Sequence, residues 1–97
     1  MKFAIIAAMH EECVCLRDQL NSHSSGRHLT MAVDVASWHG HDVVLIESGI
    51  GKVNATLAAQ HVIDQYGVDC VINTGSAGGI AKGTKIGDFV VADRVCH

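Results

Sequence analysis

Two adjacent carboxylates, Glu11 and Glu12, follow the apolar run Lys2–Ala8. A carboxylate just past the end of a strand can act as a general base on water. The same pair is also a favourable charge on the first turn of a helix, and the spacing leaves both readings open. Farther along, N-T-G-S-A-G-G-I-A-K-G-T-K-I-G-D (residues 73–88) holds five glycines and three small hydroxyl residues in sixteen positions. Backbone this bare can approach a ligand that a Cβ would hold off. The ligand could be a phosphate, a sugar or a nucleotide, or the segment could be only a tight turn.

Three other motifs fail on their own terms. Ser48–Asn54 (S-G-I-G-K-V-N) begins like a dinucleotide fingerprint, but Asn54 stands where the third glycine would allow close helix–strand packing. Asp69 also precedes its strand instead of ending it, so the segment reads as a strand-to-helix turn. Gly78–Lys85 (G-G-I-A-K-G-T-K) approaches a triphosphate loop, yet Thr84 precedes Lys85 and the segment leads to a strand. The lysine could not reach a phosphate from a helix N-terminus. Cys13, Cys15, Cys96 and His97, with His39 and His41, lack zinc-site spacing. Helix residues two apart point about 200° apart, so Cys13 and Cys15 cannot face one metal, and no metal is expected.

These groups need elements to carry them. The periodicity predicts a strand over 2–8, a helix over 10–20 with Val14, Leu16 and Leu20 apolar and charge interleaved, and a polar loop over 21–28. Strands over 29–37 and 42–46 should form a hairpin about Gly40. A helix over 54–66 should carry Leu57, Ala58, Val62 and Tyr66 on one face and end at Gly67. Strands over 69–73, with Cys70 in the core, and over 89–92 complete the pattern. The order predicts an α/β fold, a mixed sheet with flanking helices, as one domain over residues 1–97. The strand–helix–strand unit 42–73 should be parallel, with a right-handed crossover. Ligands in such sheets bind at the carboxyl ends of the strands, here the loops Ala8–Glu12, Ser48–Lys52 and Thr74–Gly79.

Bulk properties bound the rest. With 48% hydrophobic and 18% charged residues the chain is globular. Its net charge of −3 is scattered, with no basic stripe for nucleic acid. The N-terminal apolar run is too short for a membrane span and shows no cleavage pattern. A cytoplasmic protein with free thiols is expected.

Four segments now combine: A-M-H-E-E (8–12), S-G-I-G-K-V-N-A (48–55), N-T-G-S-A-G-G (73–79) and K-I-G-D-F-V-V-A-D (85–93). In this order and at these separations the chain resembles the N-terminal portion of the 5′-methylthioadenosine/S-adenosylhomocysteine nucleosidases, within the purine nucleoside phosphorylase-like superfamily. The resemblance covers all 97 residues. It implies a three-layer phosphorylase/hydrolase-like fold and hydrolysis of an N-glycosidic bond to release adenine, with no cofactor. It makes Glu12 the catalytic group that activates water and Ser76 the residue that helps hold that water. Ala8, Met9 and Ile50 would line the pocket around the ribose and its 5′-alkylthio end. Ala77 and Gly78, in the glycine loop with Ser76, would bind substrate beside them.

Members of the family run to more than twice this length. Their later half supplies the ribose-gripping Met-Glu pair and the acid that protonates adenine N7. The 97-residue chain alone is therefore expected to be inactive, and its uncovered apolar face and sheet edge predict self-association. The resemblance points to a homodimer with helix 54–66 at the contact. The alternatives are a non-catalytic assembly module on the same fold, or a purine nucleoside phosphorylase.

Overall fold

The structure is a computed structural model that describes residues 1–76, 82–92 and 94, without the side chains of residues 21–23. Its elements are β1 (Lys2–Ala7), α1 (His10–Gln19), β2 (Asn21–His28), β3 (Met31–Trp38), β4 (His41–Glu47), α2 (Lys52–Tyr66) and β5 (Cys70–Thr74). They form a five-stranded mixed sheet in the order β2-β3-β4-β1-β5. The meander β2-β3-β4 is antiparallel, and β1 runs parallel to both β4 and β5. The expected parallel unit around α2 is present, with β1 inserted between its two strands.

Alternation along β1 and β4 builds both faces of the sheet. Ala4, Ile6, Val44 and Ile46 join Met31 and Val33 beneath Ala58 and Val62 of α2. Ala7 and Leu45 point the other way and meet Cys13 of α1. Interior parallel strands are apolar on both faces because each face is covered. The result is α/β/α layering, with the larger apolar core under α2. No helix among the described residues is long and apolar enough to cross a membrane.

The hairpin forms where Gly40 predicts it. His39 (φ 48°) and Gly40 (φ 80°) make a two-residue turn between Trp38 and His41. Positive φ at both centres matches the right-handed twist of the flanking strands. Gly67 closes α2 in the left-handed region (φ 58°), its N–H donating to the Ile63 carbonyl at 3.2 Å.

Three expectations are corrected. Residues 21–28 are not a loop but edge strand β2, paired with β3 through a bulge at Ser22/Ser24. Among the described residues it pairs with a neighbouring strand on one side only, and its polar composition does not announce it. Residues 89–92 form no strand, and Phe89, Val90 and Val91 are exposed. A strand needs a neighbour for its peptide groups, and none pairs with this run among the described residues. Cys70 is exposed, because among the described residues β5 bonds only to β1 and even Val71 and Ile72, on its opposite faces, stay open to solvent. In α1 the fully buried residue is Cys13, while Val14 is exposed.

Candidate active site

The sheet register creates the site. Ala7, at the end of β1, pairs with both Glu47, the end of β4, and Thr74, the end of β5. Three parallel strands therefore stop level, and the segments after them leave the sheet side by side.

The first segment turns directly into α1, placing Glu12 at the third helical position. Glu12 Oε1 accepts the Met9 N–H at 2.9 Å, capping an otherwise orphaned donor. Its other oxygen, Oε2, accepts the Ser76 N–H at 2.7 Å, with Ser76 Oγ at 3.5 Å. The carboxylate that could be either a base or a helix charge thus does the helix's work with one oxygen and faces the glycine loop with the other.

Gly75 makes that approach possible. A Cβ on Gly75 would stand 2.5 Å from Glu12 Oε2, closer than any side-chain carbon can sit. The glycine is required for space, not for a left-handed backbone.

The second segment is stitched to the first. The Ser48 N–H donates to the Ala7 carbonyl at 2.8 Å, and its buried hydroxyl donates to the Gly49 carbonyl at 2.9 Å. Gly49 and Gly51 take positive φ (85° and 102°). Asn54 Nδ2 donates to the Ile50 carbonyl at 2.8 Å and would lie 3.0 Å from a Cβ on Gly49. The residue that broke the dinucleotide pattern is a brace for this turn.

Of the residues singled out in the sequence, Glu12, Met9 and Ser76 are joined by hydrogen bonds. Ala8 lies between β1 and Met9, and Ile50 sits on the neighbouring segment, highly exposed. Ala77 and Gly78 lie outside the described residues.

Sequence reasoning missed a charged cluster beside the site. Arg17 of α1 bonds Asp34 of β3, with Nε to Oδ2 at 2.6 Å, and reaches Glu47 Oε2 with Nη2 at 3.5 Å. Burial is the largest influence and works against the guanidinium, but the Asp34 hydrogen bond and the charges of Asp34, Cys13 and Glu47 together outweigh it and raise its pKa above the usual arginine value. Ser25 donates to the other Asp34 oxygen at 2.6 Å. Nothing in the sequence signals this cluster, because Arg17, Asp34 and Glu47 lie on three separate elements. Cys13, on the buried face of α1, has its thiol pKa pushed up by burial first and by Glu47 next, so it stays protonated. Among the described residues no three metal-type side chains cluster.

Layered α/β/α packing, with a carboxylate held against a glycine loop at level strand ends, defines a class. Residues 2–97 match the family model of the phosphorylase superfamily, and the chain belongs to that family. Within it, the chain is similar along its whole length to 5′-methylthioadenosine/S-adenosylhomocysteine nucleosidases. That of Tolumonas auensis is 42% identical over 102 residues, covering 100% of this chain and 42% of that protein. The nucleosidase structure from S. pneumoniae with a transition-state inhibitor, MT-ImmA, superposes with TM-score 0.86 at 42% identity, covering 91% of this chain and 38% of that one. The nucleosidase from Colwellia psychrerythraea in complex with adenine gives TM-score 0.85 at 44% identity, covering 91% and 36%. The chain spans about two fifths of the length of the curated relatives it matches.

Proposed function

We propose that this chain is the N-terminal part of a nucleosidase that hydrolyses 5′-methylthioadenosine and S-adenosylhomocysteine, with Glu12 as general base. One observation carries the reading: Glu12 Oε2 lies 2.7 Å from Ser76 N and 3.5 Å from Ser76 Oγ. Each carboxylate oxygen has two lone pairs. With one amide apiece, both keep a lone pair for a water. The Ser76 hydroxyl is too far from Oε2 for a strong O–H···O bond and can turn to the same water. Glu12 would take a proton as the water oxygen bonds to C1′, while the C1′–N9 pair leaves with adenine. The carboxylate also offsets positive charge developing at C1′. Protonation of the departing adenine falls, by the resemblance, to a later segment of the family fold. Met9 and Ile50 would offer apolar walls to the 5′-alkylthio group. Ala77 and Gly78 would continue the substrate contact begun at Ser76.

The test is adenine release from 5′-methylthioadenosine. The 97-residue chain alone is expected to release none. Joined in one polypeptide to the later part of the Tolumonas auensis relative, it should do so without phosphate, which separates it from a phosphorylase. Glu12→Gln should then lower the rate by about 10²–10⁴-fold. Equal rates for the two fusions would end the proposal.

The assembly reading rests on β5, whose Val71 and Ile72 are exposed on an edge strand. We expect the chain to self-associate, as a dimer through α2 or through this edge, and sedimentation at micromolar concentration should show it. A cytoplasmic location fits the use of the N-terminal apolar run as interior strand β1.

A further inference from the structure

We propose that Arg17 is a positioning residue: by clamping α1 to β3 and β4, it sets where the Glu12 carboxylate lies against Ser76. His10, Cys13 and Arg17 stand three and four residues apart, so they share one face of α1. Cys13 is fully buried there, while Leu16 and Leu20 are only partly covered. So small an apolar contact leaves the helix free to slide and turn.

Polar groups on either side of Cys13 remove that freedom. Arg17 holds Asp34 at 2.6 Å, and Ser25 fixes Asp34 from β2, also at 2.6 Å. At the other end of the face, His10 Nδ1 lies 3.5 Å from Glu47 Oε2, the oxygen that Arg17 Nη2 also reaches at 3.5 Å. His10 Nδ1 and Arg17 Nη1 are 3.4 Å apart. His10 and Arg17, two turns apart on one face, converge on Glu47 of β4, and Arg17 also holds Asp34 of β3, so the face is tied to two strands at once. Glu12 points well away from that face, so a turn of the helix would swing its carboxylate off the glycine loop. Glu47 immediately precedes Ser48, so the same clamp ties in the second segment of the site.

The catalytic consequence rests on the nucleosidase reading; the placement of Glu12 does not. The test is therefore a nuclear magnetic resonance pH titration of the 97-residue chain that follows the Ser76 amide proton. With the Ser76 N–H on Glu12, its shift should move as Glu12 ionises, and Glu12→Gln should remove that movement. In Arg17→Met the movement should be lost while circular dichroism keeps its helical signal, and Arg17→Lys should restore part of it. Asp34→Asn, isosteric with the wild type, should show the same loss and serves if Arg17→Met does not fold. Unchanged Ser76 titration in a folded Arg17→Met or Asp34→Asn chain would overturn the proposal. No Glu12-dependent movement in the wild type would instead remove the Glu12–Ser76 contact, and with it the functional reading.

Discussion

At the scale of single residues, the site depends on one missing carbon. Gly75 takes no unusual φ, yet a Cβ there would overlap the Glu12 carboxylate at 2.5 Å. The clashing atom is the far end of a flexible side chain, so Gly75→Ala should fold. Glu12 would turn away and lose Ser76, a hydrogen bond worth about 1 kcal/mol. Melting temperature of the 97-residue chain should fall by about 4–8 °C. In the fusion with a relative's later part, adenine release should fall about 10²-fold, the typical cost of a misplaced catalytic group. Unchanged release would mean that the close approach is not used. Glu12 and Ser76 were singled out only through four segments in register and the resemblance they carry, since the spacing of Glu12 alone left both of its readings open. Arg17, Asp34 and Glu47 were not, since they come from three elements with no spacing rule between them. Only the folded register makes them neighbours.

At the scale of elements, hydrophobic pattern and turn chemistry announced most of the structure. β1, β4 and α2 carry the apolar positions, and Gly40 and Gly67 mark a turn and a cap. β2 escaped notice because an edge strand needs no apolar face, and polar side chains there discourage pairing with other chains. The segment 89–92 misled for the opposite reason: it has the side chains of a strand and no partner among the described residues. The β2–β3 turn carries a cost that its sequence hides. Leu29 adopts φ 56°, a region where a side chain is crowded, and is mostly exposed. Replacing it with glycine removes that strain and gives up little packing. Leu29→Gly should therefore stabilise the chain by about 0.5–1 kcal/mol, net of glycine's larger unfolded-state entropy. The urea midpoint should rise with an unchanged slope. A fall in the midpoint would show that Leu29 is held by contacts outweighing its backbone strain.

At the scale of the whole molecule, two histidines join parts that no sequence motif connects. His28, at the end of β2, stacks on His61 of α2 with ring centroids 3.6 Å apart and an interplanar angle of 8°. His61 also meets Tyr66 edge-on at 5.7 Å. Burial lowers the His61 pKa from its ordinary 6.5, and the charge His28 can carry lowers it further. The unfolded chain then binds this proton more readily than the folded one. The stabilising contribution is complete above pH 6.5 and is lost as pH falls through that value toward the lowered folded pKa. The Cys13 thiol acts at the other end of the scale. Its pKa is raised from 9.0, so the unfolded chain loses this proton first and stability drains away as pH rises past 9.0. Melting temperature should therefore be highest between these limits and decline on both sides. His61→Phe preserves a flat ring against His28 and Tyr66 but cannot be protonated, so it should flatten the acid side and leave the alkaline side unchanged. If the acid decline keeps its slope in His61→Phe, the pair does not couple α2 to the meander through charge, and carboxylates must account for the loss.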